Sequence, residues 1–341
     1  MPIPFLFIGI GAATAAVGVG KTIKAGADQK DAKETNEYAQ RIVRRETNLT
    51  NEYREKSGAA VTALGEKKIW VLDHSVQSFI KTFEKIHNID LTDSQGLDEL
   101  QNMKMDKQSF QSLKDLQTMS SSLAGGVVSG TAIGAATAFG AYGAVMTFAS
   151  ASTGTAIATL SGAAATNATL AFLGGGALSI GGLGMAGGTA VLGGFVAGPA
   201  LAVMGFVMGA KASANRDEAY SNLAKAKEFA EEMKTAQSLC KGIRMRAAMF
   251  DRFLIRLEGI FVPLIYSREK FVDEKGVDYS SYSWAEKQTI GVAGAVAGAI
   301  KAVLDTPILT EDGALTKESK QLSREMQADI PKIAEKANVS M

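Results

Sequence analysis

Few residues in this 341-residue chain have the types and spacing that chemistry requires. The best spelling is Ala15-Ala16-Val17-Gly18-Val19-Gly20-Lys21-Thr22, a loose P-loop with Ala in place of its first Gly. Such a loop works because backbone N–H groups cradle phosphate, Lys reaches the outer phosphates and Thr holds magnesium. Ile69-Trp70-Val71-Leu72-Asp73 has the look of an apolar strand ending in a metal-binding Asp. Both pieces need a parallel sheet with alternating strands and helices, and no such alternation is present. The Ile69 stretch also lies inside a helical heptad. Cofactor and enzyme readings therefore rest on one weak match, and the expectation is a protein without catalytic activity.

The remaining reactive groups are scattered. Cys240 is the lone cysteine, so no internal disulfide can form. His74 and His87 are the only histidines, too few for a Cys/His zinc site. Glu231-Glu232 reads as helix-surface charge. HExxH, CxxC and GxSxG are all missing. The sequence offers no catalytic, cofactor-binding or metal-ligating residues and no evident small-molecule substrate. With 36 basic and 35 acidic residues, its balance excludes a dedicated nucleic-acid binder.

What must position any site is a chain sharply divided by charge. Leu116 to Ala210 is 95 residues long and contains no Asp, Glu, Lys, Arg or His. It holds 21 of the 36 glycines, among many Ala, Ser and Thr. Water is a poor place for such a segment, which belongs in lipid or inside protein. Leu123 to Phe148 is long enough to span a bilayer. Within it Gly126, Gly130 and Gly134 lie four apart, a double GxxxG that lets two helix backbones approach closely. Further along, Gly184, Gly188, Gly194, Gly198, Gly205 and Gly209 extend the small-residue pattern. These nine glycines are the expected helix-packing and oligomerisation positions. The six strongly apolar residues between Leu123 and Met146 contribute only roughly −2 to −4 kcal/mol toward insertion, and six glycines erode that. Near-neutral insertion energy favours a segment that waits in a soluble bundle over a permanently anchored one.

The flanking arms are soluble in character. Tyr38, Ile42, Leu49, Tyr53, Ala60 and Leu64 recur with an eleven-residue period, a nearly straight seam. Ile69, Leu72, Val76, Phe79, Phe83 and Ile86 continue it as a heptad. Gly58 and Gly65 are expected to weaken or bend this helix, with both histidines on its polar side. Asn88 to Gly96 reads as a break. A second long helix carries Leu223, Ala226, Phe229, Met233, Ala236, Cys240, Ile243, Ala247, Phe250, Leu254 and Leu257 on one seam. Arg244, Arg246, Arg252 and Arg256 make its end basic, a solvated face or a lipid-headgroup contact. Pro263 is expected to end or kink it. Thr289 to Ile300 reads as a short apolar helix below spanning length, and Pro331 as the stop or kink of a last polar helix.

The expected fold is all-α: long amphipathic, coiled-coil-like helices flank a Gly/Ala-rich, uncharged helical-hairpin core. Its segments are an apolar N-terminal helix (1–27), two halves of a charged stalk (28–115 and 211–275), the core (116–210) and a C-terminal helical part (276–341). Met1 to Gly20 lacks the leading basic residues of a cleaved signal. It either inserts or docks on the core.

This layout resembles helical pore-forming proteins: α-pore-forming toxins, the colicin pore domain and apolipoprotein L proteins. The likeness is carried by Gly126-x3-Gly130-x3-Gly134 and Leu170 to Gly198. It implies a soluble bundle that shields an apolar hairpin, then oligomerises and inserts. The uncharged segment here is about twice the length of a colicin-like hairpin. With no export signal evident, the expectation is a protein reaching the membrane from the cytoplasm, with the lipid bilayer and its own copies as partners. A non-inserting scaffold with a buried glycine zipper is the alternative, and a P-loop NTPase the third.

Overall fold

A computed structural model describes residues 22–87, 105–128, 136, 139–141, 143, 216–310 and 313–338. Among them there is no strand, and the fold is all-α. Helix α1 (Thr22–Val71) leads through a π-helical turn (Leu72–Val76) into α2 (Gln77–Phe83). Then follow α3 (Lys107–Val128), α4 (Arg216–Lys275), a 3₁₀ turn (Tyr279–Ser281), α5 (Trp284–Asp305) and α6 (Lys317–Lys336).

The chain divides into two compact units. The first comprises Met1–Glu46 and Val203–Glu231. Its core is built mainly of small side chains, with Ala32, Ala39 and Val43 of α1 and Ala219, Ala226, Phe229 and Ala230 of α4 all buried. Its edge is polar: Arg216 pairs with Asp31 at 2.9 Å, and Asn222 donates to Asn36 at 3.1 Å.

The second unit comprises Thr47–Ala202 and Glu232–Met341. Its core gathers the end of α1, the π turn, α2, α3, the middle of α4, α5 and α6, with Ala136, Phe139 and Ala141. Helix α5 runs through this core, with Val292 through Ala297 all inside. Glu286 fastens its start by accepting from the Ser283 N–H at 2.7 Å and hydroxyl at 2.8 Å. Lys275 completes the cap at 2.7 Å. These contacts, Lys275 first, hold the Glu286 carboxyl down at about 2.

Several expectations change. The seam of α1 runs about one residue around from Tyr38, Ile42, Leu49 and Tyr53. Tyr38 is 48% and Leu49 36% exposed, while Ala39, Val43, Glu46, Thr50, Arg54 and Ser57 are buried. The stripe is polar in its middle because α4 offers polar partners: Gln237 donates to Thr50 at 3.1 Å. The α4 seam agrees with its spacing, from Ala226 to Leu257, with Leu223 and Ala236 half-buried. Both histidines are exposed.

Pro263 neither ends nor visibly limits α4, which continues to Lys275, and α6 passes Pro331 to reach Lys336. Both prolines are exposed. The carbonyl left unpaired four residues earlier can then be hydrated, while buried neighbours such as Phe261 and Leu264 hold the helix line. The short apolar helix expected at Thr289 to Ile300 is 22 residues long. Among the described residues it is the one helix long and apolar enough to cross a membrane. Most of it is buried inside the second unit, as the core helix of a bundle would be.

Candidate functional site

The chain's uncharged segment meets its charged arms at a junction built around Lys68. On α1, Lys68 occupies the same stripe as Val61 and Leu64, so its long side chain must enter the core. It is fully buried. Its ammonium donates to the carbonyls of Phe139 and Leu304, both at 3.2 Å, and lies 5.1 Å from the centre of the Phe139 ring.

The Leu304 carbonyl sits at a negative helix end, in the last turn of α5. Carbonyls in a last turn lack intrahelical donors and carry the negative end of the helix dipole, so a cation suits that position. Phe139 lies four residues before Gly143, whose φ of +71° is the left-handed conformation that favours glycine. The backbone N–H groups of Ile308 and Leu309 donate to the Ala141 carbonyl at 2.8 and 3.0 Å. A β-carbon on Gly143 would come within 2.3 Å of the Asp305 carbonyl oxygen. Burial pulls the Lys68 ammonium down to about 7, and Asp305, itself paired with Lys301, opposes that pull.

One helical turn from Lys68, Gly65 meets the uncharged segment backbone to backbone. A β-carbon there would lie 1.6 Å from the Ala136 carbonyl oxygen. The converse holds at Gly140, where a β-carbon would lie 2.0 Å from the Val61 carbonyl oxygen. Gly65 is therefore a close-contact position within a continuous helix. Gly58 has open space around its missing side chain and leaves α1 unbroken.

A second buried cation, Arg268, lies elsewhere in the same unit. Its Nη2 donates to the Phe79 carbonyl at 3.1 Å, and its guanidinium lies 4.6 and 5.5 Å from the Phe79 and Phe83 ring centres. Its Nε and Nη1 are buried without a hydrogen-bond partner among the described residues. Burial lowers it to about 10.

The π turn lines an open groove of about 410 Å³. Trp70, Asp73 and His74 form one wall, and Val262, Tyr266 and Glu269 of α4 the other. The Trp70 and His74 rings stack at 4.4 Å, and Lys67 sits 4.4 Å over the indole while pairing with Glu258 at 2.6 Å. Asp73 accepts from Ser121 of α3 at 3.0 Å. These polar groups are already engaged with one another and show no nucleophile–base pair. No cluster of metal ligands occurs among the described residues.

Of the nine glycines singled out by spacing, Gly126 lies within α3. Gly130, Gly134, Gly184, Gly188, Gly194, Gly198, Gly205 and Gly209 lie outside the described residues, as do Met1 to Lys21 and the break at Asn88 to Gly96. Ile69-Trp70-Val71 is helical, as the heptad requires, and Leu72-Asp73 opens the π turn, which the heptad did not foretell. The contacts that spacing missed are Lys68, Gly65 and Gly140. A signal was present: Val61, Leu64, Lys68 and Val71 step 3, 4, 3 along the chain.

Comparison with family models, with curated proteins and with solved structures gave no match.

Proposed function

We propose that this chain is a conditional membrane-inserting helical protein, acting from the cytoplasmic side as a homo-oligomer that perturbs or perforates a bilayer. The observation that carries the reading is the 95-residue stretch without a charged side chain, set between arms that hold all the charge. Its described residues Ala136, Phe139 and Gly140 are buried against α1 by backbone approach and by one ammonium. Such contacts can be given up as a unit. They involve no covalent link, and the bilayer offers the segment a second environment of similar free energy.

The junction also supplies a condition for release. A lysine buried at about 7 is neutral in the docked state above that pH and charged once freed into water. Lower pH therefore weakens docking relative to release, until the effect saturates below about 7.

The scaffold reading draws on the same packing, since the close backbone approach at Gly65 and Gly140 also supports a segment held within the protein. Dye release from liposomes by the purified chain separates the two. Release that is lost with Gly130→Leu supports insertion. A protein that stays soluble and leaves the vesicles intact at every pH supports the scaffold.

A further inference from the structure

We propose that the solvent face of α4, from Lys241 to Lys270, docks onto the anionic surface of a lipid bilayer. The inference rests on the membrane reading above and names the surface that would make first contact. Helix α4 buries one stripe through Phe250, Leu254, Leu257 and Phe261. It carries a second stripe on the opposite side: Met245, Ala248, Arg252, Ile255, Gly259, Val262 and Tyr266 step 3, 4, 3, 4, 3, 4, and all are exposed. Four of these are large and apolar, with Met245 at 59%, Ile255 at 51%, Val262 at 36% and Tyr266 at 68% exposure. A soluble helix ordinarily fills such a face with polar residues.

The charges around that stripe select its partner. Lys241, Arg244, Arg252, Arg256 and Lys270 are exposed on this stretch. The acids are fewer: Glu269 is exposed at its end, Asp251 is half-buried, and Glu258 is held inside by Lys67 and Ser75. A second copy of the face would set cations against cations, so self-pairing is repelled. A nucleic-acid backbone would satisfy the arginines but leave Ile255 and Val262 without a use. An anionic bilayer satisfies both, taking the cations at its headgroups and the apolar side chains just beneath. Across the groove from Tyr266 stands Trp70, 45% exposed under the Lys67 ammonium. A partly exposed indole facing a groove that a tyrosine also lines suits the headgroup level.

The test uses the full chain with Trp284→Phe, which leaves Trp70 as the sole tryptophan. Vesicles of phosphatidylcholine alone are compared with vesicles containing phosphatidylserine, by sedimentation and by Trp70 emission. Expected are binding to the anionic vesicles only, weakened by salt, and a blue shift of Trp70. Arg244→Gln/Arg252→Gln/Arg256→Gln should weaken binding about 100-fold, from about fivefold per cation. Ile255→Ser/Val262→Ser should weaken it with the charge intact. Circular dichroism melting confirms that these surface variants remain folded. Equal binding by the triple variant, or no binding by the parent, overturns the proposal. So does a single-stranded polynucleotide that binds with the same arginine dependence and displaces the vesicles. Entrapped dye separates this from the insertion reading. Binding without release leaves docking standing and contradicts insertion. Release unchanged in the triple variant contradicts docking alone.

Discussion

Gly65 and Gly140 face each other across a contact with no room for a β-carbon on either side. Each position sets the other helix's carbonyl where its own side chain would be, 1.6 Å away at Gly65 and 2.0 Å at Gly140. Gly65→Ala and Gly140→Ala must each push two backbones apart and should destabilise the fold by about 3 kcal/mol or more. Gly58→Ala, in open space on the same helix, should instead stabilise it by roughly 0.5–1 kcal/mol. Urea midpoints at constant slope check both signs.

Lys68 predicts a pH dependence with a definite sign. Its folded value of about 7 lies below the ordinary 10.5. Between those values the unfolded chain binds a proton that the folded chain has released, so stability rises with pH across the window. Below 7 both states are protonated and the effect is flat. The slope is about 1.4 kcal/mol per pH unit for one proton. Unfolding free energies should stay flat from about pH 6 to about pH 7 and then rise toward this slope up to about pH 9 in the parent, and Lys68→Met should lack the rise. Identical profiles would remove Lys68 from the account.

Glu286 should titrate near 2 by carboxyl NMR, below its ordinary 4.5. The depressed value means that its capping contribution is present above the ordinary value and fades as pH falls toward 2. Lys275→Met removes the largest cause, so the Glu286 midpoint should move upward. An unmoved midpoint would mean that the Ser283 donors alone hold it.

Arg268 fills a core position while two of its donor groups stay unpaired. Arg268→Met keeps most of the volume and removes those donors together with the Phe79 contact. Arg268→Ala leaves a cavity beneath Phe79 and Phe83. The Met variant should exceed the Ala variant in stability by about 2 kcal/mol or more. Equality would place the guanidinium's worth in its charge rather than its bulk.

The all-α class and the α4 seam were legible because apolar residues there recur at helical spacing without interruption. Phe229, Met233, Cys240 and Phe250 are buried as that spacing requires. On α1 the same rule held at Leu64 and Ile69, which are buried, and picked the wrong stripe in the turns before them. It followed the large side chains Tyr38 and Leu49, whereas the contact face is made of Ala39, Thr50 and Ser57. Residue size is a poor guide where helices approach closely and polar groups answer one another across the seam. Lys68 escaped for a related reason. Its charge marks it as surface, and its burial depends on the two backbone carbonyls, of Phe139 and Leu304, that receive it. Of the two outcomes expected at Pro263, an end or a kink, the end does not occur, because spacing says nothing of which carbonyl water can reach.

The central claim is that the uncharged segment exchanges protein for lipid, and its position can be read directly. A Cys240→Ser chain carrying an environment-sensitive fluorophore at Ala165→Cys places a single reporter within that segment. On addition of phosphatidylserine-containing vesicles, its emission should rise and should be quenched by spin labels on the acyl chains, more strongly below pH 7 than above it. Emission that stays unchanged and unquenched while the protein is bound to the vesicles would contradict the account.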